Sequence, residues 1–222
     1  MGLKIELVGL CGAGKSTFIS ALSNRLPVKD CIELAHPIVP NTIMTRIYIL
    51  RILVLGLLTD PVTFLRFLSN SSNWWLIKKI AYRQAGISLR EKKNSILVDS
   101  GILQPFISFE IEEKITFSVI PLKSLLRGLA LPDLVLFFSI PPSIAKTRYE
   151  LRGMNGEGRI VRKNGEKYFE RAEQVRQKLL AYCKEMKIQT VEVDSTREFT
   201  DQYLNSKLIE IRNILNNRED EI

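Results

Sequence analysis

The sequence predicts an α/β fold: a three-layer sandwich of about five parallel strands, with helices on both faces and a helical insertion. Three observations carry that reading. Short apolar runs alternate with segments of helical periodicity, the pattern of a parallel sheet whose crossovers are helices. A glycine-rich turn joins the first strand to the first helix. One block, residues 38–93, is helical without an intervening strand and reads as an insertion into an otherwise single domain, 1–222.

Residues 3–8 form the first strand, apolar at 3, 5, 7 and 8. Residues 15–26 carry Phe18, Ile19, Leu22 and Leu26 on one helical stripe, and Pro27 ends it. Residues 31–34 are the second strand. Residues 39–88 are divided by Pro40, Pro61 and the polar cluster 69–73 into three helices. Within them the stripe Ile43, Ile47, Leu50, Val54, Leu58 and the run Trp74-Trp75-Leu76-Ile77 are expected to pack as core rather than to form a partner or membrane patch. Residues 95–98 make a third strand ending at Asp99, and 104–131 are helical with a break near Pro121. Residues 134–140 are a strongly apolar strand, after which Pro141-Pro142 open a helix, where proline is tolerated in the first turn. A break at 154–158 precedes a long amphipathic helix over 165–186, a last strand at 190–193 and a final helix over 198–216. The polar tail 217–222 is expected to fray.

Composition narrows the function classes. The chain has 222 residues, 45% hydrophobic and 25% charged, which suits a folded domain and excludes disorder as its main state. Its three cysteines, Cys11, Cys31 and Cys183, have no metal-ligand spacing, so a disulfide framework and a paired-cysteine zinc site are not expected. Reduced thiols, no secretory signal and no spanning helix point to a cytoplasmic protein. The net charge of +8 suits a phosphorylated ligand or the surface of an anionic membrane. Nucleic acid is not expected as a partner, because no aromatic-basic module accompanies that charge. Peripheral membrane contact and a homodimer stay open.

Residues 9–16, Gly9-Leu10-Cys11-Gly12-Ala13-Gly14-Lys15-Ser16, satisfy G-x-x-x-x-G-K-[ST] in full, between a strand and a helix. Glycines let the backbone curl so that successive N–H groups, from Gly9 through Thr17, converge on phosphate oxygens. The helix N-terminus adds its dipole. Lys15 reaches the terminal phosphates, and the Ser16 hydroxyl suits Mg2+. The apolar strand ending in Asp99 is the usual partner of such a loop, its carboxylate holding the Mg2+ shell. These features make ATP and Mg2+ the expected cofactors in a P-loop fold. Arg148, Arg152, Arg159 and Arg162, set among Gly153, Gly156 and Gly158, describe a lid over about 148–163 that neutralises charge during transfer. Lys15, Asp99, Arg148, Arg152 and Arg159 are the expected catalytic set.

Four segments together resemble the thymidylate kinase branch of the P-loop nucleoside and nucleotide kinases. They are the loop at 9–17, Val98-Asp99-Ser100-Gly101, the run Leu131-Pro132-Asp133-Leu134-Val135-Leu136-Phe137 leading to Pro141-Pro142, and Tyr168-Phe169-Glu170-Arg171 on the late helix. The resemblance implies transfer of the ATP γ-phosphoryl group to a small acceptor, with Asp194, Ser195 and Thr196 lying against the adenine. The chain departs from that family on the acceptor side. Cys11 stands where an acidic residue is usual, His36-Pro37 where Glu-Pro is, and Asp99-Ser100 where Asp-Arg is. The acceptor is therefore open among nucleotides, nucleosides and sugars. Glu33, His36, Ser100 and Arg162 are the acceptor-side candidates, and a hydroxyl acceptor would use a base such as Glu33, His36 or Asp99. The alternative is a nucleotide-dependent switch or scaffold that binds a partner or membrane through residues 39–88. No Asn-Lys-x-Asp guanine-reading motif is present to support a GTPase.

Cys11 lies in an electropositive loop beside a helix N-terminus, a setting that makes a thiol reactive. Alkylation of Cys11 is expected to abolish ATP binding. Nucleotide affinity that survives complete modification of Cys11, verified by mass spectrometry, refutes this.

Overall fold

The structure, a computed structural model, describes residues 4–23, 33–34, 42–90, 96–99, 101–111, 122–154 and 165–219. Strands β1 (Lys4–Gly9) and β4 (Leu134–Ser139) are buried along almost their whole length. Strands apolar on both faces must be covered on both faces, which a parallel sheet with helical crossovers achieves. β1 lies at the centre. It pairs with β3 (Ile96–Val98) on one side and β4 on the other, while β2 (Glu33–Leu34) and β5 (Gln189–Asp194) form the edges. All four pairings are parallel, in the order β2-β3-β1-β4-β5. The chain thus reverses direction of winding at β1, and the crevice beyond its carboxyl end is where such sheets bind ligands.

The helices are α1 (Lys15–Ser23), α2 (Thr42–Thr59), α3 (Pro61–Leu68), α4 (Ser71–Arg90), α5 (Gln104–Ile111), α6 (Leu122–Leu126), α7 (Pro142–Met154), α8 (Gly165–Glu185) and α9 (Asp201–Glu219). α5 and α8 pack on each other and on β1, while α9 packs on α1 and β5. The Phe18 ring of α1 meets the Phe138 ring of β4 edge-on at 5.4 Å. Between β2 and β3 stand α2, α3 and α4. α2 lies against α4 and α6, and the Tyr48 and Ser88 hydroxyls bond across the α2–α4 pair at 2.7 Å. Asp60 starts α3, its carboxylate accepting the Thr63 N–H at 3.1 Å.

Three expectations are corrected. The region 104–131 is not helical up to Leu131: after α6 the chain turns through 127–129, with Arg127 N–H on the Lys123 carbonyl and Leu129 N–H on Leu126. α9 starts at Asp201, later than expected, and runs to Glu219, into the tail expected to fray. Most consequentially, Ile43, Ile47, Leu50, Val54 and Leu58 are exposed, as are Trp74 and Trp75. The inward sides of these helices are taken by Ile52 and Gly56 on α2 and by Asn73, Leu76, Ile77 and Ile80 on α4. α2 is apolar around most of its circumference, so periodicity alone did not say which side meets the core.

Two charged residues of β1 are buried, and each is fully engaged. The Lys4 ammonium donates to the carbonyls of Ala130 (2.9 Å) and Leu131 (3.3 Å). The Glu6 carboxylate accepts the N–H groups of Ile102 (3.1 Å), Leu103 (2.7 Å) and Gln104 (3.0 Å), and so caps the start of α5 from a neighbouring strand. Gly101 makes the approach possible, because a Cβ there would lie 2.4 Å from the Glu6 carboxyl carbon. Burial raises Glu6 to about 7, against the pull of the three N–H groups and of Arg83 on α4. Burial and the charge of Glu6 together push the Cys183 thiol of α8 up to about 12.

The folded protein therefore holds a proton on Glu6 that the unfolded chain releases above its ordinary value of 4.5, so stability falls as pH rises from there to about 7. The contribution is on the order of 3 kcal/mol. Glu6→Gln should be less stable throughout, because its amide points N–H donors at N–H donors, and should show a flatter stability profile between those limits. Urea midpoints measured across that window check this; an unchanged slope in the variant refutes it.

Candidate functional site

The site is built at the carboxyl end of β1. The turn 10–14 needs glycine twice for conformational reasons: Gly12 has φ 85° and Gly14 has φ 76°. Gly12 is also pressed against α7, where a Cβ would sit 2.4 Å from the Ala145 carbonyl oxygen. The Ala13 N–H closes the turn on the Leu10 carbonyl at 3.1 Å, and the Phe18 N–H makes a first helical bond to Gly14 at 2.9 Å. The turn and the first residues of α1 line a cleft of about 230 Å3. Its walls are residues 11–16 with Asp99, Gln104, Ser108, Tyr149 and Arg152.

Lys15 lies along the loop, with its ammonium on the carbonyl oxygens of Gly9 (3.0 Å) and Leu10 (3.1 Å). Burial depresses its pKa, Cys11 and Asp99 pull it back up, and Arg152 pushes it further down. The cleft thus holds two cations near one carboxylate, a balance that favours an anion. The Oδ1 atom of Asp99 is buried and has no hydrogen-bond partner among the described residues. Ser16 and Thr17 are exposed at the start of α1. Among the described residues no cluster of three or more His, Cys, Asp or Glu forms a metal cage.

The expected phosphate-loop residues therefore converge. Gly9, Cys11, Gly12, Ala13, Gly14, Lys15, Ser16 and Thr17 lie together at the end of β1 and the start of α1. Asp99 and Arg152 join Cys11 through Ser16 in the cleft walls. Arg148 is placed differently. Its Nη1 donates to the Ser195 carbonyl at 3.0 Å, tying α7 to the loop after β5. In that loop the Asp194 carboxylate accepts the Thr196 N–H (3.0 Å) and hydroxyl (2.6 Å) and pairs with Arg197 at 3.0 Å, which holds it below the usual carboxylate range. The Ser195 N–H binds the Ser139 carbonyl at 2.9 Å, and its hydroxyl oxygen is buried without a partner. Asp194, Ser195 and Thr196 are not cleft walls. They stand beside the phosphate loop, joined to it by Phe199, whose ring contacts Gly14 and meets Phe18 at 5.4 Å. Glu33 lies in edge strand β2. His36, Ser100, Arg159 and Arg162 fall outside the described residues.

The sequence reading missed Gln104. Its Oε1 accepts the Gly9 N–H at 3.0 Å and its Nε2 donates to the Gly9 carbonyl at 2.9 Å, a two-point clamp on the first residue of the loop. The backbone N–H of the same residue is the one held by Glu6. A chain of buried contacts therefore runs from Glu6 through the start of α5 to the phosphate loop. Its only sequence trace is a glutamine five residues after Asp99, a spacing without a known motif. Ser108 and Tyr149 were missed for the same reason.

No protein-family model matches the chain, and no curated protein does. Solved structures match its fold. A deoxyadenosine kinase from M. mycoides with bound dATP has a TM-score of 0.61 at 16% identity, covering 95% of this chain and 99% of that one. The deoxyadenosine kinase with products dCMP and a flexible dCDP gives 0.57 at 18%, covering 97% and 100%. With bound dCTP it gives 0.55 at 16%, covering 95% and 100%. At this identity the likeness shows the fold alone, a parallel α/β sandwich shared along nearly the whole chain.

Gln104→Ala leaves two buried groups of Gly9 without this partner and should cost about 2 kcal/mol of stability. Hydrogen exchange at the amides of residues 9–14 should quicken more than in the sheet. Protection of those amides equal to that of the parent chain overturns the clamp.

Proposed function

We propose that this chain is an ATP- and Mg2+-dependent phosphotransferase, a small-molecule kinase of the P-loop nucleoside and nucleotide kinase type. The observation that carries the reading is the convergence of the complete phosphate loop, Lys15, Asp99 and Arg152 on one cleft. The loop amides and the α1 N-terminus bind the β- and γ-phosphates. Lys15 exchanges its two loop carbonyls for phosphate oxygens, which returns its pKa toward normal. Asp99, with its unpartnered Oδ1, and the Ser16 hydroxyl have the hard oxygen donors that Mg2+ takes, and two such donors suit an ion that shares its remaining positions with phosphates and water. When bound, the ion neutralises charge across the β,γ-phosphates.

The acceptor oxygen attacks the γ-phosphorus in line as the bond to the β,γ-bridging oxygen breaks, leaving ADP. Arg152 stabilises the charge on the transferring group, joined by Arg159 and Arg162 when the lid over 148–163 closes. Arg148 positions the loop 194–196, against which the adenine stacks. Asp99, Glu33 or His36 takes the proton of a hydroxyl acceptor. Motif order places the chain near thymidylate kinases and their deoxynucleoside kinase relatives. The altered acceptor side and the deoxyadenosine kinases that share the fold make a nucleoside hydroxyl the first acceptor to test, ahead of a nucleoside monophosphate or a sugar.

An ATP-consumption screen with Mg2+ against pooled nucleosides, nucleoside monophosphates and sugars should yield one pool member heavier by one phosphoryl group. Lys15→Ala should lower that rate by about a thousandfold or more with the melting temperature little changed. ATP binding without turnover on any pool member, or full activity of Lys15→Ala, overturns the proposal.

A further inference from the structure

The outward face of α2 is more apolar than its inward face. Ile43, Ile47, Leu50, Val54, Leu57 and Leu58 are all exposed, with Ile43 and Leu50 at 63% and Leu58 at 76%. At about 100° per residue these six fall within an arc of roughly 100°. Arg46 and Arg51, both exposed, lie just beyond its two edges. The surface continues onto α3, where Val62 and Leu65 are exposed beside Arg66. An exposed apolar face of this continuity needs a cover.

The charge of the same helices says which cover. α2 and α3 hold Arg46, Arg51 and Arg66 against one acid, Asp60, and the neighbouring α4 adds Lys78, Lys79, Arg83 and Arg90 with no acid. Asp60 is already occupied capping α3. The apolar positions 43, 47, 50, 54 and 57 have the spacing of a coiled-coil seam. A second copy on that seam would nevertheless bring arginines against arginines, with no acid on α2 to pair them. An apolar stripe edged on both sides by arginines is the arrangement that lies in a lipid interface, the aliphatic side chains among acyl chains and the guanidinium groups at anionic headgroups. No described helix is long and apolar enough to cross a membrane.

We propose that α2 and α3 form a peripheral docking surface for an anionic lipid bilayer, with the α2 axis lying in the membrane plane. The surface is independent of the cleft and of the kinase reading. The full chain should float with vesicles of phosphatidylcholine and phosphatidylglycerol, and should stay in solution with phosphatidylcholine alone. Raised ionic strength should weaken the association. Leu50→Glu/Val54→Glu should abolish it. Arg46→Glu/Arg51→Glu should weaken it by at least about fivefold per arginine. Circular dichroism and melting temperature should be unchanged in both variants, since all four side chains are exposed. Absence of flotation, equal binding to both vesicle types, or full binding by either variant overturns the proposal. A dimer in sedimentation that Leu50→Glu/Val54→Glu dissociates, with no lipid binding, assigns the face to a second copy instead.

Discussion

The buried carboxylate of Glu6 is the constraint around which the site is organised. It stands on the central strand, inside the protein, where a lone charge is costly and burial keeps the group protonated up to about pH 7. It persists because the start of α5 brings three N–H groups to it, and those groups would otherwise be buried without acceptors. Each side of this arrangement needs the other. The result joins β1 to α5 at one fixed height, and Gln104, as part of that junction, reaches across to grip both backbone groups of Gly9. The phosphate loop therefore starts from a defined point. Loop glycines, which allow positive φ, also allow many other conformations; the clamp at one end and the contact of Gly12 with α7 remove that freedom.

A second consequence is electrostatic. The loop lines the cleft, and Lys15 and Arg152 share it. The Lys15 ammonium donates to two loop carbonyls, which are neutral acceptors and leave its charge to be balanced by other groups. Asp99 supplies one negative group, and its buried Oδ1 has no hydrogen-bond partner among the described residues. The proposed polyphosphate and its metal rest on this grouping of two cations, glycine-rich backbone and one carboxylate around a small cleft. The loop after β5 is attached to this centre through Arg148 and Phe199 rather than forming part of its wall.

The helices between β2 and β3 obey a different rule from the rest of the fold. Around the sheet, apolar residues face inward and the core is closed by Phe18, Phe137, Phe138 and Phe169. On α2 the inward side buries Ile52, sets Gly56 against Phe64 of α3 and bonds the Tyr48 hydroxyl to Ser88 of α4, while isoleucines and leucines face outward between arginines. Such an inversion is unfavourable for an isolated surface, because the hydrophobic effect favours removing that area from water. The polarity of this layer and the polarity of the cleft thus point to two separate contacts, one with a soluble anion and one with an interface.

The sequence by itself determined the alternation of strands and helices, the phosphate loop and the carboxylate after the third strand. These are local: a turn that needs glycine at positive φ, a run that can only be a buried strand, and a proline pair that can only open a helix are written in neighbouring residues. It also placed α4, α7 and α8 within a few residues of their ends. Only the tertiary structure decided what depends on distant segments meeting. The bond from Glu6 to Gln104 spans 98 positions and follows no spacing rule. Arg148 and Arg152 share one helix and one charge, yet the first is bound to the chain after β5 while the second enters the cleft. On α2 the stripe was legible but its direction was not. A helix apolar nearly all round has no preferred inward side until its neighbours are in place, and here Gly56 and Ile52 fit against them while the larger stripe was left outside.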